Sequence, residues 1–417
     1  HPDRSEPGFS VTLNWTSPRV RLSVKERRMG LANATDLNGK SGGAKWRDLL
    51  FSRPLVEMFF DRSLRCAEAR RGLDRRRFVE LSTLAAGAAL TGCRHRRAGE
   101  LTMALGWIPD VEYADLWVAL DRRFIADAGL RFQYLPGGPN APQPVLEISA
   151  READFGDSDW LPFCDAVLQG NDFVILASLF PVTPIGLISL PANPVHTPAD
   201  LENKRFLVQG PNERAILQAL FRLNNLKENY SMVPVGFSPE PLLRGAGDAY
   251  FCFVTNQPQT LERMGLRQGA DFCVTRLYDL GYRVSTSLLI VERKTLQNRR
   301  SELVRFLAAL LRGHAVNAAD PAYGARLSVE YYGADLGLDL EQQTKLNRLQ
   351  IPLETAPGAS IPFWFSEDSF AGPMYATARV TGRPPLPPPA RLRDMSLLEE
   401  AYRATNKQIE AQTKERT

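Results

Sequence analysis

The chain has 417 residues, of which 44% are hydrophobic and 24% charged, and a formal net charge of +4. That charge is unevenly placed: residues 1–93 hold 17 Lys and Arg against 10 Asp and Glu, which leaves 34 against 37 in the remainder. The body of the protein is faintly acidic and has no basic run, so a nucleic-acid partner is excluded, while about 320 residues suffice for two lobes with separate cores.

Residues 1–73 are rich in Arg, Ser and Gly and hold no long helical or strand periodicity. They read as a disordered or non-native upstream extension, with one short helix near Trp46–Met58 and Met58 as a candidate start. Residues 74–93 read as an address. Arg75, Arg76 and Arg77 precede Phe78, and a mildly apolar run follows from Leu81 to Leu90. A membrane-spanning helix needs about 20 strongly apolar residues, whereas an apolar region of roughly 7–15 behind a basic flank is an export signal. The arginines resemble a twin-arginine motif, and Leu90-Thr91-Gly92-Cys93 resembles a lipoprotein box. On this reading Cys93 becomes the lipidated first residue of an exported, periplasmic or cell-surface protein. At about 0.8 kcal/mol per buried CH₂, two or three acyl chains tether it firmly to a membrane. The competing reading is an amphipathic helix with a buried Cys.

From Leu101 short apolar runs alternate with amphipathic stretches, the pattern of an α/β protein with mainly parallel strands. The runs are Leu101–Leu105, Leu130–Tyr134, Ala153–Phe155, Val174–Leu179, Ile185–Leu190, Arg205–Val208, Met232–Val235, Ala249–Val254, Phe272–Val274 and Ser287–Val291. Helical stretches are Ala114–Ala128, Arg214–Leu223 and Glu302–Asn317, where Leu303, Phe306, Leu307, Leu310 and Leu311 share one face. Beyond Asp320 the chain reads as helical, over Leu338–Leu353 and Ser366–Val380. The Pro-rich stretch 383–389 then forms an extended linker to a charged terminal helix, closing a segment 383–417. Cys164, Cys252 and Cys273 read as buried free thiols, with a Cys252–Cys273 pair as the alternative. His95, His196 and His314 are scattered without ligand spacing, so neither a metal nor a cofactor is called for.

Ligands of open α/β sheets bind at the carboxyl ends of the strands, and four loops lie there. The first runs Gly106 to Tyr113 and contains Trp107, Asp110 and Glu112; the second is Pro136-Gly137-Gly138-Pro139-Asn140. The third is Gly156-Asp157-Ser158-Asp159-Trp160, and the fourth, Phe253 to Pro258, holds Thr255, Asn256 and Gln257. Aromatic faces, carboxylates and carboxamides together suit a flat polar heterocycle. Trp107 and Trp160 would stack on the ring, Asp157 would accept from an exocyclic amine, and Asn256 would offer a donor and an acceptor from the opposite lobe. Asp110, Tyr113, Asn140, Ser158 and Asn212 complete the candidate site. Each has a plainer reading: Trp107 and Trp160 as core, and Asp110, Asp157 and Asn212 as helix N-caps.

The segments LTMALGWIPDVEYADLWVAL, AREADFGDSDW, TPADLENKRFLVQGPNERAILQALF and VPVGFSPEPLLRGAGDAYFCFVTNQPQTLE occur in that order. Together they resemble the NMT1/THI5-like family over roughly Leu101–Asp320. The resemblance implies a type II periplasmic-binding-protein fold, two α/β lobes closing on a ligand. It puts residues 94–190 and 292–382 in lobe I and 191–291 in lobe II, with Ile185–Leu190 and Ser287–Val291 as the crossing strands. It also implies a solute-binding partner of an ABC-importer permease, with a small heterocycle such as a thiamine pyrimidine precursor as ligand. Trp107, Pro109, Asn256 and Pro258 match the family's loops, whereas Asp110 stands where Asn is common and Tyr113 where His is frequent. The alternatives are a thiamine pyrimidine synthase or a binder of a flavin, nitrate or sulfonate. The synthases carry Lys and His after the third strand and a Cys-rich iron motif; here Ser158 and Pro162 stand in the first place and no Cys cluster surrounds Tyr282. The acids of the first and third loops oppose an anionic ligand.

Overall fold

The structure, a computed structural model, describes residues 98–138, 141–210 and 212–414. The upstream extension, the export signal with Cys93, and Asn140 lie outside the described residues.

Each apolar run falls on a strand, although β3 begins only at the last residue of the expected run Ala153–Phe155 and continues to Ser158. The first five are β1 (Glu100–Ala104), β2 (Arg131–Leu135), β3 (Phe155–Ser158), β4 (Phe173–Phe180) and β5 (Ile185–Ser189). The others are β6 (Arg205–Val208), β7 (Ser231–Pro234), β8 (Ala249–Phe253), β9 (Cys273–Arg276) and β10 (Thr286–Glu292). They form two five-stranded sheets, ordered β2-β1-β3-β10-β4 and β7-β6-β8-β5-β9. The two orders are one pattern used twice, with a strand delivered from the other lobe beside the third strand of each.

Four of the five strands in each sheet run the same way, as expected: β1 is parallel to β2 and β3, and β6 to β7 and β8, while β4 and β9, on the far side of the exchanged strand, share that direction. The exchanged strand alone is reversed, β10 being antiparallel to β3 and β4, and β5 to β8 and β9. A strand entering from the partner lobe arrives head-on to its new neighbours. The exchange does correct the expected lobe boundary. Ile185–Ser189 and Thr286–Glu292 are not crossings but ladder strands of lobe II and lobe I, and the chain crosses at 181–184 and 277–285. The first crossing contains Pro181 and Pro184, whose missing N–H groups suit a connection better than a central ladder.

Helices cover both sheets: α1 (Ala114–Asp121), α2 (Trp160–Leu168), α3 (Asn212–Leu223), α4 (Gln257–Arg263), α5 (Arg293–Ala319), α6 (Leu340–Gln350) and α7 (Ser396–Lys414). The expected helix Ala114–Ala128 is interrupted, because Arg123 takes a left-handed φ of 60°. In α5 the five expected apolar residues are all buried, and Phe306 stacks on Phe132 at 5.3 Å and meets the edge of Phe155 at 4.8 Å. The segment after the prolines is not a tethered appendage. Asp394 N–H donates to the Ile175 carbonyl at 2.9 Å, and Leu392, Leu397, Leu398 and Ala401 are buried in the core that covers the first sheet. Apolar spacing in a terminal helix does not reveal which surface it will cover.

One buried ionic cluster ties lobe I together. His314 Nδ1 on α5 lies 3.2 Å from Asp115 Oδ2 on α1 and 2.9 Å from Glu354 Oε2 just beyond α6. Asn317 donates to the second Asp115 oxygen at 2.8 Å. Burial alone would disfavour the imidazolium, but Asp115 and Glu354 outweigh it and raise His314 to about 10. Burial and the nearby Asp115 raise Glu354 to about 8. Sequence spacing could not reveal this grouping, since its members are separated by tens to hundreds of residues. Cys164, Cys252 and Cys273 are free thiols.

Candidate functional site

The carboxyl ends of β1, β3, β6 and β8 meet around a cleft of about 340 Å³ lined by both lobes, within the range of small-molecule sites. Its lobe I side is built on Asp157, at the end of β3 and 2% exposed. Gly106 N–H donates to Asp157 Oδ1 at 2.6 Å, and the Tyr113 hydroxyl donates to Oδ2 at 3.2 Å while accepting from Trp107 N–H at 2.9 Å. A side chain at position 106 would collide with that carboxylate, since a Cβ would stand 2.7 Å from Asp157 Oδ2. The close approach of the loops after β1 and β3 therefore requires glycine.

Asp110 accepts from Glu112 N–H at 2.9 Å, capping the short turn that leads into α1. The N-cap reading of Asp110 therefore holds alongside its place in the cleft lining. Ser287 donates to Glu112 Oε1 at 2.9 Å. Ser287 has a left-handed φ of 51°, a conformation costly for a residue with a Cβ. It sits where the chain re-enters lobe I.

The two lobes touch across the cleft. Asn212, the first residue of α3, donates to Asp159 Oδ2 at 2.8 Å, and Trp107 meets the edge of Phe237 at 5.2 Å and 75°. In lobe II the Gln257 side chain accepts from Phe253 N–H at 2.9 Å and fixes the turn that holds Thr255 and Asn256.

Burial drives the protonation of the acids. Asp157 and Asp110 are each raised to about 7 by burial, in part offset by the N–H groups of Gly106 and Glu112. Glu112 is pushed well above the usual carboxylate range by burial and then by Asp157 and Asp110. Asp159 and Glu213 are also raised by burial.

Of the expected site residues, Trp107, Asp110, Asp157, Ser158, Asn212, Thr255, Asn256 and Gln257 line the cleft. Tyr113 stands behind it as the support of Asp157. Trp160 is corrected: it is 1% exposed, its indole N–H donates to the Met374 carbonyl at 2.6 Å, and it stacks on Phe163 at 5.7 Å. It belongs to the core under α2. Sequence reasoning missed the walls Phe180, Phe237, Phe251 and Phe253, and the acids Glu112, Asp159 and Glu213, as lining residues. Alternation along β8 was a usable signal, because Phe251 and Phe253 share the face that walls the cleft, while on the opposite face Tyr250 stays in the lobe II core and Cys252 both packs there and borders the cleft.

Two α/β lobes with the same strand order, exchanging one strand each and enclosing a cleft at their strand ends, define the periplasmic-binding-protein class. The chain belongs to the NMT1/THI5-like family, whose sequence model matches residues 110–323. No curated protein sequence matches significantly. Among solved structures it is similar to a Bordetella bronchiseptica protein at 17% identity and TM-score 0.54, with 73% of this chain and 98% of that one covered. It is also similar to the ligand-binding component of an ABC-type import system from Staphylococcus aureus with zinc bound, at 9% identity and TM-score 0.53 over 72% and 98% of the chains. A third likeness is to the alkanesulfonate-binding protein SsuA from Xanthomonas axonopodis pv. citri bound to MOPS, at 16% identity and TM-score 0.51 over 72% and 100%. At these identities the likeness shows the fold. Among the described residues no helix is long and apolar enough to cross a membrane.

Proposed function

We propose that the protein is the solute-binding component of an ABC importer and takes a small heterocyclic nutrient, with a thiamine pyrimidine precursor as the first candidate. The observation that carries this reading is the cleft between the lobes, walled by aromatic rings and edged by carboxylates and carboxamides from both sides. A ligand bridging Trp107 and Asp157 on one lobe and Asn256 on the other favours the closed arrangement by its differential affinity. Delivery to a membrane permease follows from that closure and from the similarity to an importer component. Trp107→Ala should weaken binding of a ring ligand by roughly tenfold through lost stacking and buried area. Titration calorimetry on the small molecule that co-purifies with the protein tests this, and unchanged affinity in the variant would place the ligand elsewhere.

Anchoring is part of the same proposal: export through the signal at 74–93 and lipid on Cys93. Expression of the full chain with Cys93→Ser should abolish palmitate labelling and move the protein from the membrane fraction to the soluble one. Labelling that persists in the variant contradicts the anchor.

A further inference from the structure

We propose that the solute is a cation, a protonated amine or amidine or a quaternised ring nitrogen carried on a flat apolar body. This rests on the solute-binding reading and names the class of solute. Five carboxylates line the cleft, Asp110, Glu112, Asp157, Asp159 and Glu213, and none of the described lining residues is Lys, Arg or His. Pro139, Asn140 and Pro211, the sequence neighbours of lining residues outside the description, carry no charge.

The hydrogen bonds these acids receive come from neutral donors: Asp157 from Gly106 and Tyr113, Glu112 from Ser287, and Asp159 from Asn212. The buried Glu213 Oε2 has no hydrogen-bond partner. Asp110 and Asp157 are buried and Glu112, Asp159 and Glu213 half-buried, and acids held this way lack the counter-charge that would make their ionisation favourable. A ligand cation supplies it. The walls point the same way, because the faces of Trp107, Phe180, Phe237, Phe251 and Phe253 attract cations as well as apolar surface. A sulfonate or nitrate would instead meet five acids and no donor cation.

The proposal carries a proton linkage. With Asp110 and Asp157 raised to about 7, the empty cleft holds protons near neutrality, and a cation releases them on arrival. The other titratable groups facing the acids are Tyr113 beside Asp157, and Cys252, which also lines the cleft. Tyr282 couples to Asp159. Behind Glu112 a small cavity is shared with Asp115 and Glu354, whose cationic partner His314 lies between them.

Three probes of one ring separate charge from shape: 1-methylnicotinamide, permanently cationic, neutral nicotinamide, and anionic nicotinate. In titrations of the purified full chain the cation should bind at least tenfold more tightly than nicotinamide, with nicotinate weakest. Its affinity should rise about tenfold per pH unit between pH 5 and 7 for each proton released, and the heat should differ between buffers of different ionisation enthalpy. Because the probe does not titrate, that dependence reports the protein's acids. In Glu112→Gln the preference for cation over neutral ring should shrink about tenfold, with a melting curve confirming the fold. Nicotinamide binding as tightly as the cation would overturn the charge inference and leave the heterocycle reading standing. Preference for nicotinate would overturn it as well, and no binding of any of the three would remove both.

Discussion

His314→Ala is expected to destabilise the fold by about 3–5 kcal/mol, because it leaves the buried Asp115 without its cationic partner and strips Glu354 of its hydrogen-bonding neighbour. For a folded body of about 320 residues that corresponds to a fall of about 4–8 °C in the melting temperature. Glu354, raised to about 8, keeps its own proton at neutral pH, so the rescue is sought at the other acid: His314→Ala combined with Asp115→Asn should recover part of the loss, and a double variant no better than the single one would place the damage in packing instead. The same cluster sets the pH response. His314, raised to about 10, and Glu354, raised to about 8, bind protons more tightly folded than unfolded, as do Asp110 and Asp157, each raised to about 7. Raised values mean stability that is fully present below the unfolded values, near 4 for the carboxyls and 6.5 for His. It is lost as pH climbs through the folded ones. The unfolding free energy of the empty protein should therefore fall from pH 5 to pH 10, by up to about 1.4 kcal/mol per pH unit for each proton concerned, and the melting temperature should fall with it. Calorimetric scans across that range check the sign, and a rise toward alkaline pH contradicts it.

Trp160→Ala is expected to cost about 3–5 kcal/mol of unfolding free energy and to leave ligand affinity in the folded fraction nearly unchanged. The indole is sealed at 1% exposure among Phe163, Phe370 and Tyr375, and its N–H has its partner in the Met374 carbonyl. Removing it opens a cavity and takes the indole donor from the Met374 carbonyl. A denaturant titration and a binding titration on the same preparation distinguish this from a role at the ligand. Normal stability with lost affinity would return Trp160 to the site.

The misplacement of Trp160 marks how far sequence reading reached. Position after a strand identifies the loop, but consecutive residues on that loop face opposite ways: Asp159 reaches the cleft while Trp160 begins α2 and turns inward. The composition of α2 held the answer, since Trp160, Leu161, Phe163, Cys164 and Ala166 leave no exposed apolar stripe and mark a helix buried on several sides. All ten strands were readable, most because a buried strand is a short apolar run, and the half-exposed edge strands β2, β7 and β9 because apolar residues still cluster there between turn signals. Which lobe owns β5 and β10 was not, because an apolar run records burial and not its neighbours. Asp110, Asp157 and the turn at Asn256 were legible from strand-end position. Phe237 was not, because it comes from an aperiodic loop and meets Trp107 only when the lobes touch. Glu112 was visible as an acid in the first loop, but its place in the lining depends on a turn that Asp110 caps.

Native mass spectrometry of the protein purified without denaturant, wild type beside Trp107→Ala, tests the central claim most directly. The wild type should carry one small ring-bearing molecule per chain, released intact on unfolding, and the variant should carry markedly less. Equal occupancy of both proteins, no bound small molecule in the wild type, or release of a chemically altered molecule would contradict the assignment of this cleft as a solute-binding site.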